Sequence, residues 1–101
     1  MSDFTSLAKD FGVSPTDRLT WREKTKQIII EQAHTFNVTP ADIMGYRRPQ
    51  NIAHARQSVM WRMSQELPGI MTKEIGALLG RERTTVIHGI QAHIDRSGEQ
   101  K

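Results

Sequence analysis

A chain of 101 residues has room for one compact domain, and 37% hydrophobic with only 6% aromatic content makes its core small and mainly aliphatic. The lack of cysteine excludes disulfides, thiolate nucleophiles and zinc–cysteine sites together, and it points to a reducing cytoplasm. The net charge of +3 is unevenly spread: residues 1–45 carry five Lys/Arg against six Asp/Glu and residues 46–101 nine against five, so the basic excess lies in the second half.

The N-terminus, Met1-Ser2-Asp3-Phe4, lacks the basic-then-apolar layout of a signal peptide. The longest apolar run, Ile28 to Ile30, is far short of a membrane span. The expectation is a soluble cytoplasmic protein, associated with the nucleoid, with no membrane partner. Residues 1–19 have weak periodicity and form either an arm or a short helix around Phe4–Phe11. A main domain over residues 20–96 follows, and 97–101 reads as a polar, frayed tail.

Thr20 and Glu23 have the spacing of a capping box, which predicts a helix from Trp21 to Phe36 burying Ile28, Ile29, Ala33 and Phe36. Thr39-Pro40-Ala41-Asp42 is a second start, with a capping threonine, proline at the first position and an acid in the first turn. Gly45 keeps that helix short. A basic loop follows, Gly45 to Asn51, with Asn51 the expected cap of the next helix. There Ile52, Ala55, Val59, Met63 and Leu67 recur at three- and four-residue spacing, and Pro68-Gly69 stops the run. Two shorter helices complete the chain, from Thr72 to about Leu79 and from about Arg83 to Asp95. Every element reads as helix, so the fold class is all-α. Met44, Met60, Met63 and Met71 are expected to fill gaps in the core, and Trp21 and Trp61 to lie in the core or at its rim.

The last two helices carry the spacing of a helix-turn-helix. Gly76 is the small residue where the helices would cross, and Gly80 suits a turn position needing positive φ. Ile75, Leu79, Val86 and Ile90 would face inward, leaving Glu82, Arg83, Thr84, Thr85 and His88 toward a DNA major groove. The threonines can donate to phosphates or bases and pack their methyls on thymine, and Arg83 can reach guanine O6 and N7 or a phosphate. Glu82 would accept from a cytosine amino group or orient an arginine, or simply stabilise the helix N-terminus. An ordinary helical hairpin with solvated charges fits the same spacing.

Residues from about Arg22 to Arg96 resemble the C-terminal DNA-binding domain of the bacterial DnaA family. The resemblance is carried by Val38 to Met44, Arg47-Arg48, Ala55-Arg56-Gln57, Glu74-Ile-Gly76 and Arg81-Glu-Arg-Thr-Thr-Val-Ile-His-Gly89. The last stretch is similar to the family signature Gly-Arg-Asp-His-Thr-Thr-Val-Leu-His-Ala. It implies a compact helical domain of the Trp-repressor-like kind, with double-stranded DNA as partner. It also implies that Arg48, beside Arg47, enters the minor groove, that Arg56 and Gln57 hold the phosphate backbone, and that Glu82, Arg83, Thr84 and Thr85 read the major groove. Lys73, Arg81 and His88 complete the expected DNA-binding set.

Three departures stand out. Glu82-Arg83 replaces Asp-His, one glycine precedes Arg81 where the family usually has two, and Pro49-Gln50-Asn51 thins the basic loop. A relaxed or related target site is therefore expected, along with a role in replication initiation or transcription. There is no Gly-x-x-x-x-Gly-Lys-Ser/Thr loop, so the expectation is a stand-alone domain without the family's ATPase. The chain has no catalytic motif, and its four histidines lack metal-ligand spacing, so neither an enzyme nor a cofactor is expected. Nor does a dimerisation stripe remain, which favours a monomer. An alternative is a protein-interaction module that keeps the fold and docks on a replication or transcription protein.

Overall fold

The structure, a computed structural model, describes residues 15–98, with side chains from Thr20 onward; the segment around Phe4–Phe11 lies outside them. Among the described residues there are five α-helices and no strand. They are α1 (Pro15–Phe36), α2 (Pro40–Met44), α3 (Gln50–Glu66), α4 (Thr72–Leu79) and α5 (Arg83–Ser97). The expected all-α class is what forms. Among the described residues, no helix is long and apolar enough to cross a membrane.

α1 begins earlier than the Thr20 capping box, which lies inside the helix and starts nothing. Pro15 takes the first position, where its missing N–H costs no hydrogen bond. The three isoleucines turn through about 200° of helix, so one must face outward. Ile28 and Ile29 are buried, while Ile30 is 60% exposed. Phe36, expected to be buried, is only partly so, because the helix ends there. Asn37 adopts φ 57, Val38 N donates to Ala33 O at 2.9 Å and Asn37 N to His34 O at 3.2 Å. This left-handed C-terminal turn swings Val38 back against the core.

The start of α2 forms as expected. Asp42 N donates to Thr39 Oγ1 at 3.0 Å and Thr39 N to Asp42 Oδ2 at 3.2 Å, a reciprocal cap. The hydrogen bond from the Thr39 backbone, helped by the Thr39 side chain and the nearby Arg47 charge, holds the Asp42 carboxyl below its usual range against the opposing effect of desolvation. Thr39→Ala should cost about 1 kcal/mol, read as a melting-temperature drop of roughly 4–8 °C. Because the folded carboxyl titrates below the unfolded one, the Asp42 contribution is present above the unfolded value near 3.9 and fades as pH falls through the folded value. The difference between wild type and Asp42→Asn in thermal melts should therefore shrink on acidification.

α3 is the central element and packs against all four other helices. Ile52, Ala55, Val59, Met63 and Leu67 are all buried, as the stripe requires. α3 starts at Gln50 behind Pro49, so Asn51 lies within the first turn and is not the cap. Arg62 ties α3 to α1: its guanidinium reaches Glu66 at 2.7 Å and Glu31 at 2.8 Å, while Gln32 Nε2 donates to Ser58 Oγ at 2.6 Å. Two methionines depart from expectation. Met60 and Met63 are core residues, but Met44 and Met71 are 41% and 68% exposed. The five-residue α2 turns Ile43 inward and so turns its neighbour Met44 out. Met71 precedes α4 and is held through its backbone N–H, which donates to Glu74 Oε1 at 2.8 Å. At the other end of the chain, α5 runs through Ser97 to a left-handed Gly98, so the helix continues past Asp95 into the residues read as tail.

Candidate nucleic-acid interface

α4 and α5 are joined by the three residues Gly80, Arg81 and Glu82. Gly80 adopts φ 68, a left-handed conformation that favours glycine. The backbone then folds back over Gly76: Arg81 N donates to Gly76 O at 2.8 Å, and a Cβ on Gly76 would fall on the Arg81 carbonyl oxygen. Ile75, Leu79, Val86 and Ile90 are buried between the two helices and α3. This leaves Glu82, Arg83, Thr84, Thr85 and His88 exposed along the N-terminal half of α5. α5 lies close on α3 through Gly89, where a Cβ would come within 2.5 Å of Met60 Sδ. Ile87, on the flank of α5 beside Thr72 and Ile90, is 42% exposed.

The basic loop is fastened to this unit by two arginines. From α3, Arg56 Nε donates to Ile43 O at 2.8 Å, and its Nη2 donates to Asp42 O at 2.8 Å and Arg47 O at 3.3 Å. From the turn, Arg81 donates to the carbonyl oxygens of Met44, Gly45 and Leu79. The Arg81 guanidinium also lies 4.4 Å from the centre of the Tyr46 ring, whose hydroxyl is 3.5 Å from the Gly80 carbonyl. Burial, and then the nearby Arg81 charge, push the Arg56 guanidinium below its ordinary value; it remains a cation at neutral pH.

Arg48, Arg56, Arg81, Glu82 and Thr85 therefore border one groove of about 670 Å³, with Tyr46 as its aromatic wall. An adjoining depression is lined by Arg56, Gln57, Arg81, Thr85 and His88. Arg47 is exposed beside the groove with Asp42 at 3.6 Å. Lys73 and Arg83 face away from it, into a separate groove along α4. Arg56 and Arg81, expected at DNA, spend donors on backbone carbonyls: Arg56 through Nε and Nη2, Arg81 through Nη1 and Nη2. Gln57 Oε1 accepts from Arg96 Nη1 at 2.7 Å, which turns the Gln57 amide N–H groups outward.

Tyr46 and Arg96 are the two site residues that sequence reasoning missed. The only signal for Tyr46 was an aromatic directly before the arginine pair. For Arg96 there was none, since its partner Gln57 lies on another helix. His93 is buried and stacks on Trp61 with ring centres 4.9 Å apart, away from the groove.

A second helix seated on the first through a glycine, with its polar edge left bare beside a fastened basic loop, is the arrangement of a helix-turn-helix DNA-binding domain, and that is the class of this protein. More narrowly, the chain belongs to the family described as Bacterial dnaA protein helix-turn-helix, whose model matches residues 25–92. Curated relatives named "Chromosomal replication initiator protein DnaA", from Burkholderia vietnamiensis (strain G4 / LMG 22486) and Burkholderia mallei (strain SAVP1), are each 35% identical over 82 residues. These matches cover 75% of this chain and 15% of the relatives' length. No solved structure matches the chain. The chain is a helix-turn-helix DNA-binding domain of that family, and it spans a small part of the relatives' length.

Proposed function

We propose that this domain binds duplex DNA with sequence preference, placing the N-terminal edge of α5 in the major groove and Arg48 in the adjacent minor groove. Thr84, Thr85 and Glu82 read base edges, with His88 one turn further along the same face, and Arg83, exposed at the first position of α5 beside the groove along α4, reaches a guanine or a phosphate at the flank of the site. Arg47, Gln57 and Arg56 hold phosphates, Lys73 holds one from the neighbouring groove along α4, and Arg81 holds the loop that presents Arg48. The observation that carries this reading is the shared groove, whose border combines Arg48 of the loop with Glu82 and Thr85 at the start of α5. Three guanidinium groups around one groove repel one another until an anion lies between them, and a phosphate backbone supplies it. The likeness to replication initiators supports a role at sites controlling replication or transcription, in the nucleoid-bearing cytoplasm.

Selection of binding sites from a random duplex pool should return a defined motif. Log affinity should fall with log salt at a slope near −0.9 for each phosphate held. Thr84→Ala should relax base preference, at a cost of about 1–3 kcal/mol on the preferred site. Arg56→Ala should instead weaken all sequences alike. Uniform loss from both substitutions would remove the division between reading and gripping residues.

A further inference from the structure

The groove between α1, α2 and α4 is separate from the one bordered by Arg48 and Thr85, and it is built to be covered. It measures about 720 Å³, with Ile29, Ala77 and Leu78 in its walls. Ile30, 60% exposed, and Met44, 41% exposed, stand at its edge. Exposed large aliphatic side chains gathered in one concavity are a costly surface for a domain with so few of them. In the same groove Thr25 is buried, and its Oγ1 has no hydrogen-bond partner among the described residues. A hydroxyl removed from water without a partner is unfavourable unless something arrives to satisfy it.

We propose that this groove is a docking site for an acidic amphipathic helix of a protein partner. Arg22, Thr25, Lys26, Ile29 and Ile30 follow the spacing of one helix face on α1, a strip about 12 Å long at 1.5 Å per residue. That shape accepts two turns of an antiparallel or parallel helix whose apolar stripe descends between α1 and α4. Arg22 and Lys26 are exposed on the rim and form no ion pair among the described residues. Carboxylates flanking the partner's stripe would meet them, and a small shift of the groove floor on binding would open the Thr25 hydroxyl to a polar atom within the stripe. A second copy of this chain would bring its own Arg22 and Lys26 toward the first, and a flat bilayer could not reach Thr25. The groove shares no lining residue with the one bordered by Arg48 and Thr85, and it adjoins the groove of Lys73 and Arg83 through Arg22, Ala77 and Leu78.

The test uses the full 101-residue chain, isotopically labelled, titrated with a synthetic helical peptide of about 16 residues carrying leucines on one face and glutamates on the other. Saturable chemical-shift changes at residues 22–30, 40–44 and 77–78 are expected. Ile30→Glu, at an exposed position, should weaken the peptide about tenfold or more while leaving duplex affinity within about twofold. As a second route, the pair Arg22→Glu and Lys26→Glu should lose the glutamate peptide and gain a lysine counterpart. Several results would overturn the proposal. A scrambled peptide of the same composition could bind equally well, or the shifts could fall on Arg47, Arg48, Thr84 and Thr85. Anionic vesicles, rather than the peptide, could prove to need Ile30. The chain could form an Ile30-dependent dimer in sedimentation, or the free chain could show contacts from residues 1–14 to the Ile30 and Met44 methyls.

Discussion

Gly76→Ala is expected to destabilise the domain by about 2 kcal/mol, lowering its melting temperature by roughly 10 °C. The sign is set by two opposing effects. Alanine in a helix interior is favoured over glycine by about 0.8–1 kcal/mol, which alone would stabilise α4. Against it stands the added Cβ, which meets the Arg81 carbonyl oxygen, a backbone atom that no rotamer change can move. Separating the two helices to relieve that overlap costs about 3 kcal/mol and opens the buried seam of Ile75, Leu79 and Val86. Gly89→Ala is the matched control. Its Cβ meets side chains alone, the thioether of Met60 closely and Gln57 Cγ at an ordinary 3.6 Å, and the flexible Met60 can shift, so the clash and the helix preference should nearly cancel. Thermal melts of both variants decide the matter: a neutral Gly76→Ala would mean that the turn is looser than described.

Arg81 should matter to DNA binding through what it holds. Arg81→Ala and Arg81→Lys should each weaken duplex binding by about tenfold, near 1.4 kcal/mol. The physical reason is that the planar guanidinium spans three carbonyl oxygens and lies on the Tyr46 ring. A lysine ammonium cannot reproduce either arrangement. Without the brace, the loop from Gly45 to Pro49 must be ordered when DNA arrives, and binding bears that entropic cost. A direct phosphate contact would behave differently, because lysine would keep most of the affinity and alanine would reduce the salt slope by about 0.9. Titrations at several salt concentrations separate the two roles. Retention of wild-type affinity by Arg81→Lys would assign the residue to phosphate instead.

Much of the architecture was legible because it is local. A helix stripe such as Ile52 to Leu67 is written at fixed spacing, and so are the reciprocal cap of Thr39 and Asp42 and the glycines of the turn. Where local signals competed, the reading failed. Thr20 and Glu23 have capping-box chemistry but lie inside a helix already begun at Pro15, and a cap can form only where the chain enters. Asn51 lost its capping role to the turn geometry imposed by Pro49. The internal donors of Arg56 and Arg81 were illegible for another reason. Their partners lie up to 37 residues away, and nothing in the composition of the loop distinguishes an arginine that faces DNA from one that faces a carbonyl. The same distance hid the pairing of Gln57 with Arg96. Met44 and Met71 misled because a thioether is equally at home inside or outside, and only the shortness of α2 and the start of α4 turn them out.

Arg56 has a consequence for target choice. It projects from α3, one residue before Gln57, and clasps both the end of α2 and the carbonyl of Arg47. The basic loop and α5, the two elements proposed to enter the grooves, are thereby mounted on the same rod and would behave as the jaws of a fixed caliper. Inserting one base pair between the two contacted steps shifts them by about 3.4 Å and turns them by roughly 35°. A caliper without a sliding jaw cannot follow that change, so the domain should measure the spacing within its site as strictly as it reads the letters.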